Sequence, residues 1–239
     1  MGSAVLFFSL APERAILSDI NSDLINAFIA VKEHPRAVYN RLTDLPRGKR
    51  AYYKIRAEST KGYSLIDKAV RFIYLNRFCF NGIYRTNLVG KFNVPYGGNN
   101  KAYLPTLDDL QVASRVLQSA KLMAGDFEEV IKKGVRKGDF VYMDPPYAQD
   151  NKEVFHQYRP NEFGLQDLCR IKDALDLIEE RGAYFLLSYG LCPEATKLFK
   201  HWPHRKLMVQ RNIAGFVESR RRAAELLVTN IPDAHWSYA

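Results

Sequence analysis

Phe140-Val141-Tyr142-Met143-Asp144-Pro145-Pro146-Tyr147 is an apolar run that ends on an acid, two prolines and an aromatic residue. Four such residues before turn chemistry predict a short buried strand, and the prolines forbid its continuation. Downstream, Leu165 to Arg181 has amphipathic helical spacing and Tyr184 to Ser188 reads as the next strand. Glu194 to His201 is a further helix, and Lys206 to Gln210 and Ala224 to Thr229 close the chain as strands. Upstream lie a helix at Phe127 to Lys133, a strand at Lys121 to Met123 and a helix at Leu107 to Leu117. Nearer the start, Ala4 to Leu10 is a short helix, Ala15 to Ser18 a buried strand running into Asp19, and Ser22 to Val31 a helix. Alternation of this kind predicts an α/β fold with a doubly wound, mostly parallel sheet. Ligands on that architecture collect at the carboxyl ends of the strands, where Asp19, Asp126 and Asp144 are all expected.

Between Arg36 and Leu104 the pattern changes to long, basic, aromatic-rich helices followed by a loop. Pro95-Tyr96-Gly97-Gly98-Asn99-Asn100 is turn chemistry. Domain boundaries follow: residues 1–35 and 105–239 form one α/β domain, and 36–104 an inserted helical subdomain. The formal charge of +9 over 239 residues is distributed unevenly. Residues 32–101 hold 15 Lys/Arg against 4 Asp/Glu, whereas the rest of the chain holds 20 against 22. A basic excess confined to one segment suits a polyanion, because neutralising phosphates releases condensed counterions. A solvated basic face is the plainer alternative.

No uncharged apolar run reaches the roughly 18 residues of a membrane span, and Gly2 to Leu10 lacks the basic flank of a secretory signal. A cytoplasmic location is expected by default. Cys79, Cys169 and Cys192 are odd in number and scattered, so they read as reduced core thiols rather than a disulfide framework or zinc site. His156, His201 and His204 have no metal-ligand spacing, and no metal site is expected.

The residue types at 144–147 suit one chemistry. An exocyclic aromatic amine is a poor nucleophile, since its lone pair is delocalised into the ring. The carboxylate of Asp144 and the backbone carbonyl of Pro145 can both accept hydrogen bonds from amino hydrogens. That localises the lone pair and stabilises positive charge developing on nitrogen. Pro145 and Pro146 hold these acceptors rigidly, and Tyr147 offers a face on which an unstacked base can lie. A chance occurrence of this tetrapeptide is expected about once in a thousand chains of this length. A plain Pro-Pro turn after a strand is therefore the weaker explanation.

These residues resemble the DPPY signature of the Dam-type DNA adenine-N6 methyltransferases, and the likeness covers almost the whole chain. It implies an S-adenosylmethionine-dependent, Rossmann-like methyltransferase fold, with S-adenosylmethionine as methyl donor, double-stranded DNA as partner and a bacterial or phage origin. Leu17-Ser18-Asp19-Ile20-Asn21 is similar to the family's second-strand motif, which implies ribose binding by Asp19 and adenine packing on Ile20. Gly125-Asp126-Phe127 is similar to the motif that meets the cofactor's adenine amine, so Asp126 and Phe127 join Asp144 as cofactor contacts. Leu75 to Asn87, with Gly90 to Gly97 and its Phe92-Asn93-Val94-Pro95 core, resembles the family's DNA-reading loop. Asn81, Arg85, Asn87, Lys91 and Asn93 then offer base-edge and phosphate contacts, and Phe80, Ile83 and Pro95 wedges or thymine-methyl contacts. Asn81, Ile83, Arg85 and Pro95 match positions that contact the target in enzymes methylating GATC. Phe72, Tyr74, Phe78 and Phe92 read as core. Phe155, Tyr158 and Phe163 fall where the family places aromatics around the flipped base, with core packing the equal alternative for Phe163. Leu187-Ser188-Tyr189 and Glu225 to Asn230 resemble later family strands.

One departure stands out. Relatives begin with a basic, glycine-containing cofactor segment and a first strand ending in an F-x-G-G-G-like turn. This chain begins at Met1-Gly2-Ser3-Ala4-Val5, which matches the helix after that turn, and Gly2 alone corresponds to the glycine loop as a cofactor contact. By resemblance the unmatched strand is central, between those ending in Asp19 and Asp144. A misplaced start, a decayed or split gene, or a separate chain supplying the strand are the competing explanations, and weak cofactor binding with weak or no activity is expected of the chain alone. The readings carried forward are thus an adenine-N6 DNA methyltransferase, alone or within restriction-modification, an amino-methyltransferase on cytosine N4, RNA or protein glutamine, and a non-catalytic DNA-binding remnant.

Overall fold

A computed structural model of the chain describes residues 1–87, 89–98, 103–146, 164–210 and 222–232. It divides into two compact units, Met1–Asp126 and Phe127–Ala239.

In the first unit, β1 (Ala15–Asp19) pairs in parallel with β2 (Ala120–Ala124), and Asp19 lies opposite Ala124. Around them run α1 (Val5–Leu10), α2 (Ser22–Glu33), α3 (Pro35–Thr43), α4 (Lys49–Ala57), α5 (Leu65–Phe78) and α6 (Leu107–Leu117). Local chemistry fixes the helix starts. Asn21 caps α2 by accepting from the amides of Asp23 and Leu24, and Pro35 opens α3 with the φ a helix needs. Ser64 caps α5, and Thr106 and Asp109 form a reciprocal capping box on α6. At the other end of α2, the orphan carbonyl of Lys32 accepts from Ser114 Oγ at 2.7 Å and from Gln118 Nε2 at 3.0 Å.

α2 packs on α5 and α6, and α3 packs on the same two helices. Their shared core is Ala30, Val38, Leu42, Tyr52, Ala69, Tyr74 and Leu117, all without solvent contact. Tyr74 and Phe78 are buried and Phe72 and Phe92 are packed partly buried against this core, as expected of them. α5 has fourteen residues, but α3 and α4 have nine each, shorter than the basic pattern suggested.

The second unit holds α7 (Phe127–Gly134), β3 (Phe140–Met143), α8 (Leu165–Glu180), β4 (Tyr184–Gly190), α9 (Pro193–Leu198), β5 (His204–Gln210) and β6 (Arg222–Thr229). Its sheet has the order β3-β4-β6-β5. β3 and β4 are parallel across the α8 crossover, and β6 is antiparallel to both β4 and β5. β5 and β6 pair antiparallel, with His204 opposite Val228 and Gln210 opposite Arg222. Leu168, Ile171, Leu175 and Ile178 of α8 cover Phe185, Leu187, Leu226 and Val228, all of them buried. Arg181 at the end of α8 donates to the carbonyls of Ile131, Lys132 and Val135 at 2.9–3.0 Å and so terminates α7.

The fold is mixed α/β, with the predicted elements present to within a few residues at their ends. The single, mostly parallel sheet is not what the described residues form. They make a two-stranded parallel sheet and a separate four-stranded mixed one, in which two of three pairings are antiparallel. Cys79 and Cys192 are buried thiols, whereas Cys169 is exposed on α8, contrary to the expectation for it; none of the three is in a disulfide. Among the described residues no helix is long and apolar enough to cross a membrane.

Candidate functional site

β1 delivers Asp19 to its carboxyl end, where the chain turns at once into the α2 cap. Asp19 Oδ1 accepts from the Asn21 amide at 3.0 Å, and Oδ2 accepts from the Gly2 amide at 3.0 Å and the Met1 ammonium at 3.1 Å. Burial alone would raise the Asp19 pKa. The Asn21 and Gly2 amides and the terminal charge outweigh it and hold the carboxyl below its ordinary value. Ile20 beside it is 79% exposed, an apolar side chain with nothing packed over most of its surface. The Gly125 amide donates to the Asp19 carbonyl at 3.0 Å, so half-buried Asp126 emerges at the same strand edge. Asp19, Ile20 and Asp126 are therefore brought together in the first unit, at the carboxyl ends of two parallel strands. Gly2 is there too, with its amide already committed to Asp19.

Such a corner fits an adenosine. An ionised carboxylate has about four acceptor positions, and three are filled, which leaves capacity for a hydroxyl. Ile20 leaves an exposed apolar side chain next to it.

In the second unit β3 ends at Met143 and is followed by exposed Asp144, half-buried Pro145 and exposed Pro146. Tyr147, Phe155, Tyr158, Phe163 and His156 lie outside the described residues. Tyr142 has its pKa raised by burial and then by the negative charges of Asp144 and Glu225. Glu225 also accepts from Ser188 Oγ at 3.2 Å. Glu225 is thus a second carboxylate near the end of β3. Nothing local marks this residue, because its position depends on β6 returning antiparallel to β4. Phe127 is engaged otherwise: the Arg170 guanidinium lies 4.9 Å from its ring centroid, and Arg170 also pairs with Glu128 and Asp167.

Residues 79–87 and 89–97 form the two arms of a hairpin in the first unit. It is closed at its base by a bridge between Cys79 and Tyr96 and higher up by one between Thr86 and Phe92. The Phe80 amide donates to the Pro95 carbonyl and the Gly97 amide to that of Phe78, both at 2.9 Å. Gly97 is required here, since a Cβ would meet the Cys79 carbonyl oxygen at 2.6 Å. Asn81 sits at φ 54°, ψ 19° inside a 3-10 turn at Phe80–Gly82, a left-handed conformation that asparagine tolerates. The returning arm is held by α4: Arg56 Nη1 reaches the carbonyls of Asn93 and Val94 at 3.3 and 2.9 Å.

Phe80, Asn81, Arg85, Asn87, Lys91 and Pro95 are exposed on this hairpin, and Ile83 and Asn93 are half-buried. Two of the polar residues also serve the hairpin itself. Asn87 Oδ1 accepts from the amides of Val89 and Lys91 at 3.2 and 2.9 Å, and Asn93 Oδ1 accepts from Arg85 Nε at 2.8 Å. Several basic residues of the segment are structural as well: Lys32 bonds the Ala120 carbonyl, and Arg71 bonds those of Ile55 and Arg56. Arg36, Arg47, Lys49, Arg50, Lys54, Arg77, Arg85 and Lys91 remain exposed. No cluster of potential metal ligands occurs among the described residues.

A basic hairpin unit and a second unit whose strand ends on Asp-Pro-Pro define a nucleic-acid amino-methyltransferase as the class. Comparison with known proteins gives the family. The model of the D12 class N6 adenine-specific DNA methyltransferases matches residues 1–214, and the chain belongs to that family. It is 34% identical to type II methyltransferase M1.LlaDCHI of Lactococcus lactis subsp. cremoris, over 96% of this chain and 84% of that one. Identity is 32% to type II methyltransferase M.MjaIII of Methanocaldococcus jannaschii, over 96% and 85%. The DNA adenine methylase of Escherichia coli K12 is 30% identical over 97% and 84%. The enzyme class is therefore site-specific, adenine-specific DNA methyltransferase.

Proposed function

We propose that the chain methylates N6 of an adenine flipped out of duplex DNA, using S-adenosylmethionine, and that GATC is the sequence it reads. Asp144 and the Pro145 carbonyl accept the two amino hydrogens, so that the nitrogen lone pair points away from the ring. Bound S-adenosylmethionine supplies a methyl group on a positively charged sulfonium. Asp19 accepts from the cofactor's ribose hydroxyls, Ile20 packs on its adenine, and Asp126 takes the adenine amine; Gly2 and Phe127 are the lesser contacts. No strong base is needed, because the methylated amine loses its proton readily. Tyr147 is assigned the stacking face for the target base.

Residues 36–104 act as the DNA-recognition subdomain on a catalytic domain made of 1–35 and 105–239, within a doubly wound Rossmann-like sheet. The parallel pairs β1–β2 and β3–β4, each joined through helices, support that sheet. The hairpin's Asn81, Ile83, Arg85 and Pro95 read base edges and methyls, while Lys91 and the exposed arginines meet phosphates. A cytoplasmic site of action, where DNA is accessible, accompanies this reading, and a type II restriction-modification role follows the names of two relatives.

The observation that carries the reading is the placement of exposed Asp144, with half-buried Pro145 and exposed Pro146 after it, where β3 ends. Plasmid DNA treated with the enzyme should resist a nuclease blocked by GATC methylation and remain open to an insensitive one cutting the same sequence. Equal cutting by both after treatment with enzyme that incorporates methyl would refute GATC.

A further inference from the structure

Outside 32–101 the chain is slightly acidic, yet residues 195–206 contain Lys197, Lys200, His201, His204, Arg205 and Lys206 and no carboxylate. Three of these lysines line one open, shallow cleft of about 600 Å³ in the second unit, with Cys192, Pro193 and Thr196 at its floor and side. Lys197 lies on α9 and Lys200 two residues beyond its end, and both border the cleft. Lys206 joins them from β5, the edge strand of the sheet. All three lysines are exposed, and none is in an ion pair among the described residues. Thr196 spends its hydroxyl hydrogen on the Cys192 carbonyl at 3.0 Å, so the cleft offers an anion three ammonium groups rather than a built pocket for a small ligand.

We infer that this lysine cleft is a second DNA contact, which takes the phosphodiester backbone without reading sequence and is separate from the 79–97 hairpin. Duplex DNA presents one negative charge per about 1.7 Å of axis, so three cations around one cleft can meet several phosphates. An open groove fits an extended polyanion better than an enclosed nucleotide. The inference rests on the enzyme acting on DNA, but not on which sequence it recognises.

The test compares the parent enzyme with the Lys197→Gln, Lys200→Gln, Lys206→Gln triple variant on one duplex of about six turns, roughly 60 base pairs. Glutamine keeps much of the stem, and these exposed positions carry no core contact. Each phosphate neutralised contributes about −0.9 to the slope of log affinity against log salt, so the variant's slope should be shallower by about 2 to 3 units. Turnover at saturating DNA should be unchanged, and the corresponding triple Lys→Arg variant should regain the slope. An unchanged slope in a variant that methylates normally overturns the inference and leaves the proposed function standing. A parent enzyme whose binding to duplex DNA is independent of salt overturns both.

Discussion

Tyr52 donates its phenolic hydrogen to the Val94 carbonyl oxygen over 2.9 Å, in a place where neither residue meets solvent to any extent. The bond fastens the hairpin's returning arm to α4. Burial, followed by the neighbouring Cys79, pushes the phenol's pKa far up, so it stays a donor at any working pH. Tyr52→Phe should cost about 1 kcal/mol of stability in a urea titration, because Arg56 still satisfies the carbonyl. Discrimination between cognate and non-cognate duplex should fall more than turnover does. A variant as stable as the parent would show the bond to be idle.

Gly97→Ala should act at the same place with greater force. Its Cβ would come within 2.6 Å of the Cys79 oxygen and 3.0 Å of the Cys79 carbonyl carbon, both backbone atoms that cannot rotate aside. Overpacking of this kind costs roughly 1–3 kcal/mol. The base of the hairpin should open, which thermal unfolding and specific DNA affinity would both register. Normal affinity with normal stability would mean that the hairpin base yields freely.

Ile20 provides the complementary case, a residue whose removal costs the fold little. With 79% of its surface exposed it contributes little to the core. Ile20→Ser should leave the unfolding midpoint within about 0.5 kcal/mol of the parent. S-adenosylmethionine affinity should drop about tenfold, equivalent to about 1.4 kcal/mol, in calorimetric titration. Unaltered cofactor affinity would remove Ile20 from the donor pocket.

Asp19 gives a pH dependence with a definite sign. Its folded-state pKa is depressed, so its contribution to stability is fully present above the ordinary value of 3.8 and is lost as pH falls through the lower folded value. Between pH 5 and 8 it should remain ionised, and cofactor affinity should show no titration attributable to it. Asp19→Asn should lower affinity equally across that range and flatten the acid limb of the stability profile. A cofactor affinity in the parent that declines between pH 7 and 5, and no longer does so in Asp19→Asn, would contradict this assignment.

Local patterning made most of the elements legible. Apolar spacing places helices at Ser22 to Val31 and Leu107 to Leu117, where the structure has them, and Asp19 and Asp144 fall where apolar strand runs stop. Pairing between distant segments was not legible. Nothing local in Glu225 or Leu226 announces that β6 runs against β4, so the mixed sheet and the approach of Glu225 to Tyr142 appear only in three dimensions. Side-chain engagement was equally hidden. Asn87 and Asn93 look like base readers, yet each holds the hairpin with its side-chain oxygen. Cys169 reads as a core thiol because cysteine usually is one, but its place on α8 faces outward.

Methyl transfer to adenine through Asp144 is the central reaction. Duplex DNA would be incubated with saturating S-adenosylmethionine carrying a labelled methyl, digested to nucleosides, and resolved for N6-methyladenine. The parent enzyme should place label in N6-methyladenine alone, and Asp144→Ala should lower the rate at least about 100-fold while still binding DNA. Label in cytosine, or an Asp144→Ala enzyme that methylates adenine at the parental rate, would contradict it.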